Sequence, residues 1–316
     1  MVIIVCATTM IMAQTPNRRN NANRRVRLSQ INFVEKCYYK TNAAKLNLKG
    51  KVKSIKETQY KATKKGDIYI KEPDNEYYST NVITTFSETG DEILSTSINK
   101  DGMVTDSREY KYIKPGMESQ WLNYNGKHEL ESKVTFEYDD KDYLITKTVF
   151  DTAGKIKSKS RSNYNFTSNS TYEKQFVKDD GTLDDDKYIY TYNTDTLLAD
   201  EESISPNSAF STYRIMYSYD STKRLAEKTL HNSIAKDGED TRTAGFKTVS
   251  ITKYEYDAKG NMIKESSELI DFAGQSGMVT ETYEYVYDTK GNWTKKITHR
   301  VELGNYIIAE REIKYY

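Results

Sequence analysis

One spacing constrains this chain more than any other feature: an aromatic residue followed by a tight turn, returning every 26 to 37 residues. The aromatic positions are Phe86, Tyr112, Tyr138, Phe166, Tyr192, Tyr219, Tyr256 and Tyr287, with successive differences of 26, 26, 28, 26, 27, 37 and 31. Periods between 20 and 50 residues belong to repeat architectures. The clearest copy is YEYDAKGNMIKE, residues 254–265. Tyr254 and Tyr256 lie two apart and share one face of an extended strand. Asp257 opens a turn in which its carboxylate accepts from backbone N–H groups, and Gly260 supplies the left-handed conformation that a type I turn with a following bulge requires. The turns at Asp139, Asp220, Asp257 and Asp288 repeat this chemistry, with Gly291 in the place of Gly260 in the last.

About 12 residues after each aromatic comes a second turn, as at Asp101-Gly102, Asn125-Gly126, Asp151 to Gly154 and Asp180-Gly181. Each unit is therefore two strands and two turns. No helix-period segment of crossover length separates the strands, so neighbours are expected to be antiparallel. The tyrosine-linked turns then fall on one edge of the sheet and the second turns on the other. The long insertions, 205–211, 232–245 and 272–277, all belong to the second set. One edge is uniform and the other variable, and variable loops on a rigid scaffold are where recognition sits.

Composition narrows the fold further. Hydrophobic residues make up 36% of the 316, and 27 are Tyr against 9 Phe and 2 Trp. A thick aliphatic core is excluded, while tyrosines and β-branched residues at period two exclude a disordered chain. The expected fold is all-β: an extended, twisted antiparallel meander of β-hairpin repeats. A single curved sheet is favoured over a packed sandwich or a closed shell. Lys and Arg number 47 and Asp and Glu 46, so bulk charge implies no nucleic-acid partner.

Residues 1–13 (MVIIVCATTMIMA) are too short to span a bilayer and resemble the hydrophobic part and cleavage site of a secretory signal, although no basic region precedes them. Residues 14–45 form an Asn/Arg-rich spacer and lead-in, whose five arginines lack the interleaved aromatics of a nucleic-acid arm. The hairpin-repeat domain occupies 46–316, opening on a run in which Val52 and Ile55 lie on opposite faces if the strand is uninterrupted. Cleavage after Ala13 removes Cys6 and leaves Cys37 alone, so disulfides do not hold the fold.

The units YEYDAKGN (254–261), YVYDTKGNW (285–293) and YSYDSTKRL (217–225) resemble the YD, or Rhs-type, repeat. The chain is similar to its short secreted versions common in Bacteroidetes-type bacteria, which often open with a KGxVKSxKE-like strand, here 49–57. In large members the repeats build a hollow β shell around a C-terminal toxin. Here the end of the chain, 309–316, reads as a strand, so no toxin domain is expected.

No catalytic, cofactor or metal-binding motif emerges. The turn aspartates are explained by turn capping. The acidic run Asp179, Asp180, Asp184, Asp185 and Asp186 lacks the alternating spacing of a calcium loop. His128, His231 and His299 fall in different repeats without zinc-type pairing. The tyrosine ladders stiffen a thin sheet as cross-strand pairs. Their functional reading is an exposed row including Trp121, Tyr254, Tyr256, Tyr285, Tyr287 and Trp293, which stacks on sugar rings or on a partner.

These features lead to an expected function: a non-catalytic scaffold, secreted, periplasmic or outer-membrane associated, without a transmembrane segment. It binds a protein or surface partner through its variable loops. The alternative is a glycan-binding module, and less favoured is a hydrolase in a concave surface that would need a carboxylate pair near His231. An open sheet also implies a monomer with a blunted last strand, Glu310, Arg311, Glu312 and Lys314 discouraging edge pairing, and with the segment before Ala44 folded over the first edge. The leader predicts a mature chain beginning near Gln14. N-terminal sequencing of the exported protein should find that end, and an intact Met1 in a cytoplasmic fraction would rule out export.

Overall fold

The structure is a computed structural model describing residues 40–72, 81–168, 170–206, 212–234, 245–271 and 274–316. Residues 1–39, with the signal segment, most of the spacer and Cys37, lie outside the described residues, as do 207–211, 235–244 and 272–273 of the long insertions. A short helix, α1 (Asn42–Lys45), precedes the strands. The first strands are β1 (Val52–Lys65), β2 (Ile68–Lys71), β3 (Asn81–Phe86), β4 (Glu92–Ile98), β5 (Val104–Lys114), β6 (Met117–Asn125) and β7 (Leu130–Tyr138). There follow β8 (Leu144–Phe150), β9 (Ile156–Phe166), β10 (Thr171–Val177), β11 (Leu183–Tyr192), β12 (Leu198–Ile204) and β13 (Tyr213–Tyr219). The last are β14 (Leu225–Ser233), β15 (Phe246–Tyr256), β16 (Met262–Ile270), β17 (Ser276–Tyr287), β18 (Trp293–Arg300) and β19 (Asn305–Tyr315).

Every neighbouring pair is antiparallel, and β19 returns to pair with β1 from Val52↔Tyr315 to Ala62↔Tyr306. On its other side β1 pairs first with β3 and, beyond Ala62, with the short β2. Eighteen strands thus close into an up-and-down barrel, with β2 as an accessory piece. This overturns the expectation of a single open sheet, and the two edge devices go with it. The charged last strand does not repel a neighbour but matches β1, with Arg311 opposite Glu57 and Ile313 opposite Ile55. The segment before Ala44 has no edge to cover. Closure satisfies the N–H and C=O groups that an open sheet would expose.

Tight turns follow the odd strands from β3 onward and gather at one end; the second turns gather at the other. Asp257 Oδ1 accepts from the backbone N–H of Lys259 (2.9 Å) and Asn261 (2.8 Å). Asp288 accepts likewise from Lys290 and Asn292, Asp220 from Thr222 and Arg224, and Asp139 from Lys141 and Tyr143. Three residues after each aspartate φ is positive: +85° at Gly260, +87° at Gly291, +66° at Lys223 and +67° at Asp142. The second turns reuse the device, as Asp151 shows.

Adjacent hairpins are joined by tyrosine hydroxyls. The β12–β13 ladder ends at Asp200↔Met216, two residues short of the tight turn, and the hydroxyl of Tyr219 donates to the Leu198 carbonyl beyond the ladder at 2.7 Å. The same bond runs from Tyr112 to Glu92, Tyr138 to Glu118, Tyr164 to Leu144 and Tyr285 to Met262, at 2.7–2.8 Å. Tyr287 and Tyr315 reach instead to the carboxylates of Asp257 and Asp288 in the preceding tight turns.

The 40–50 lead-in shows which face is inside. A Cβ on Gly116 would stand 2.8 Å from the Lys40 carbonyl, and Asn47 Nδ2 donates to the Lys259 carbonyl at 3.4 Å. Those two turns are eight strand spacings apart through β1, about 38 Å at ~4.8 Å each. Seven residues span at most about 25 Å. The lead-in is therefore a chord on the concave side, and its Ala43 and Leu48 pack against the cluster of Val52, Ile55 and Phe86, as Ile313 and Tyr315 do. That face, which carries most of the strand tyrosines, lines the lumen. Val52 joins Ile55 in this cluster because an irregularity between Val52 and Ser54 breaks the strand's alternation.

Tyr219→Phe should lower stability by about 1–2 kcal/mol, because it strands the carbonyl of Leu198, a residue only 1% exposed. Gly260→Ala should cost on the order of 1 kcal/mol from backbone strain alone, since the nearest atom to a new Cβ is 3.7 Å away. Urea unfolding of both variants checks these values, and an unchanged midpoint for Tyr219→Phe would mean that the hydroxyl bridge contributes nothing.

Candidate functional site: the lumenal strip from β15 to β1

Directly opposed residues share a face, so the strand register sets out the lumen wall in rows. One row runs Tyr254, Glu265, Glu281, Arg300 across β15 to β18. The next runs Tyr283, Thr298, Ile307, Lys61, and the one after it Tyr285, Lys296, Ala309, Gln59, both across β17 to β1. Between this row and the tight-turn end, Arg311 lies opposite Glu57, and Trp293 lies opposite Tyr287.

Arg311 Nε donates to Glu57 Oε2 at 2.9 Å, and its guanidinium lies 3.4 Å above the centre of the Trp293 ring. Its side chain is 4% exposed and that of Glu57 20%. Burial alone would raise the Glu57 carboxyl, but Arg311 and the Gln59 amide, which donates to Oε1 at 3.0 Å, hold it below the usual carboxylate range. The Lys296 ammonium sits 5.4 Å from the Tyr283 ring centre and 5.8 Å from that of Trp293. Burial and the nearby Arg311 charge pull it below the ordinary lysine range, against the attraction of Glu57 and Glu281.

Glu265 and Glu281 face one another directly. Glu281 is bound by Arg300 Nε at 2.9 Å, and the Tyr283 hydroxyl donates to Glu281 at 3.0 Å, with a Glu265 oxygen 3.5 Å away. Burial first, and then the Glu281 charge, raises the Glu265 carboxyl, which holds the proton more tightly than an exposed glutamate.

All six aromatic candidates point into the lumen, not outward. Trp121 packs edge-on to Phe136 at 4.7 Å, under Arg108, and its Nε1 donates to Glu118. Tyr285 lies beside Trp293 at 6.2 Å and Tyr287 at 5.9 Å. Tyr256 carries Arg224 over its ring at 4.8 Å, and Tyr254 is half-buried opposite Glu265. Asp139, Asp220, Asp257 and Asp288 stand at the tight-turn rim as turn caps, as described above. No motif marks the charged residues between the tyrosines: Arg311 reads in the sequence as an edge charge, and Glu281, two before Tyr283, shares its strand face.

His231 Nδ1 meets Thr248 on the outer wall near the Arg214–Asp200 pair. The carboxylate pair is thus not near His231. Among the described residues no group of three His, Cys, Asp or Glu side chains is placed to hold a metal ion.

No known family matches the sequence, and no curated protein does. Solved structures that match in part include a porin-like protein from Bacteroides uniformis, at 12% identity and a TM-score of 0.32, over 84% of this chain and 98% of that one. A porin-like protein from Bacteroides vulgatus matches at 9% identity and a TM-score of 0.26 over the same shares. The TcdB2–TccC3–Cdc42 structure matches at 12% identity and a TM-score of 0.26, over 77% of this chain and 15% of that one. At these values the likenesses carry nothing about what this chain does, and no family match supports the YD-type resemblance.

Because Glu265 is raised, its contribution to stability is fully present below its unfolded value of 4.5 and is lost as pH rises through its folded pKa. Glu265→Gln should therefore raise the melting temperature at pH 7–8 relative to the parent, and the gain should vanish below about pH 4. A gain independent of pH would show that the carboxyl is not the cause.

Proposed function

We propose that this protein is a non-catalytic closed β shell of the cell envelope or exterior, standing in water and offering its second-turn mouth to a protein or surface partner. The outer wall supports this reading. Outward side chains pair across neighbouring strands as Lys56–Glu312 (3.8 Å), Lys187–Glu173 (3.4 Å), Lys253–Glu227 (4.0 Å) and Lys264–Glu255 (2.8 Å). Arg214–Asp200 and Lys71–Glu310 extend the series. A membrane-spanning barrel needs an apolar band about 25 Å tall, and each Lys or Arg on a lipid face costs about 2–4 kcal/mol at mid-depth. A wall with ionised groups on strand after strand has no such band. No helix among the described residues is long and apolar enough to cross a membrane either.

The histidines stand apart from the lumenal carboxylates. His299 stacks on Tyr306 on the outer wall, and His128 stacks on Tyr124 beside a second turn. His231 is outward too, so none faces the lumenal carboxylates. Placement in the envelope rests on the 1–13 leader. The partner end rests on the grouping of the insertions at one mouth. A second reading, a glycan-binding module, is favoured by the lumenal aromatic strip, with the ligand inside the barrel.

The mature chain should be recovered without detergent as a monodisperse, β-rich species, and carbonate washing should release it from envelope preparations. Recovery only from detergent-solubilised membranes would overturn the water-standing shell.

A further inference from the structure

We propose that Arg311 and Lys296 form a lumenal binding site for the carboxylate of a small acidic sugar, the class represented by hexuronates. Two cations meet at one ring there, and their hydrogen-bond capacity is unspent. Arg311 is 8% exposed and uses Nε on Glu57. Its terminal guanidinium nitrogens make no hydrogen bond among the described residues. The Lys296 ammonium, with three donors, makes no hydrogen bond or ion pair among the described residues; its contacts are the rings of Tyr283 and Trp293. The polar atoms sealed without a partner among the described residues lie elsewhere, and Lys296 is half-buried, so these donors open to the lumen where an incoming acceptor reaches them.

The neighbouring carboxylates are engaged elsewhere. Glu57 serves Arg311 and Gln59, and Glu281 serves Arg300 and Tyr283. A carboxylate matches these donors, the guanidinium supplying a planar fork and the ammonium a point charge. The flanks are aromatic: Trp293, Tyr283 and Tyr285 offer apolar surface to the C–H faces of a pyranose, which a bare ion would leave unused. An eighteen-stranded barrel leaves an aqueous lumen through which such a ligand reaches mid-wall.

The test is isothermal titration of the mature chain with glucuronate, glucose, acetate and inorganic phosphate, repeated with Lys296→Met and with Lys295→Met. Lys295 is the outward neighbour, opposite Glu310. Glucuronate should bind, with Lys296→Met weakening it at least about tenfold, the loss of one charge-assisted hydrogen bond, and Lys295→Met leaving it unchanged. The site is overturned if glucuronate does not bind or if Lys296→Met binds it as the parent does. Equal binding of glucose would overturn the carboxylate's role. Equal binding of acetate or phosphate would reduce the site to a simple anion site and overturn the sugar assignment.

Discussion

The tyrosine hydroxyls that β5, β7, β9, β13 and β17 offer to the strand before them help to make a wall out of separate hairpins. A tight turn with a bulge ends the ladder between hairpins two residues early, and a backbone carbonyl there would face its neighbours unpaired. Tyrosine supplies a ring long enough to cross the gap and one donor at its tip. Phenylalanine has the ring without the donor and cannot close this gap. Where Tyr287 and Tyr315 reach the turn aspartate instead, one carboxylate caps its own turn and anchors the next hairpin.

Such a wall has little aliphatic core. Its buried clusters are small and local: Val52, Ile55 and Phe86 at the seam near the lead-in, Ala62, Ile297 and Ile308 near β2, and Tyr143, Tyr172 and Leu198 across the lumen wall of β8 to β12. Stability comes instead from many turn caps, aromatic contacts and hydrophobic stems of charged residues, each modest. The Glu57–Arg311 pair at the seam is different in kind. A buried ion pair contributes little net stability against an apolar substitute, but losing one partner leaves an unpaired buried charge. At a seam joining the first and last strands, that asymmetry favours the in-register partner over slipped ones.

Inside and outside also divide the charges by role. Outward pairs lie between neighbouring strands in water and are worth little individually. Lumenal charges lie among tyrosines and are shifted by burial, upward for Glu265 and downward for Lys296. Burial shifts reach the outer wall too, raising the Glu202 carboxyl and lowering the His231 imidazole beside Arg214.

The strand-and-turn plan was legible in the residues. Local chemistry decides it: period-two tyrosines, Asx caps and positive-φ positions such as Gly260 act within a dozen residues of one another. The separation of tight and second turns to opposite ends follows from the same count. Closure was not legible, because it depends on the accumulated bend of eighteen strands and on β1 meeting β19 across more than 240 residues. Alternating charges such as Glu310, Arg311 and Glu312 read equally as a protected edge or as a matched seam. For the same reason the aromatic candidates were placed on a common face but not on its inner side. Period two assigns residues to faces, and only the lead-in's chord, from Gly116 to Lys259, decides which face is concave.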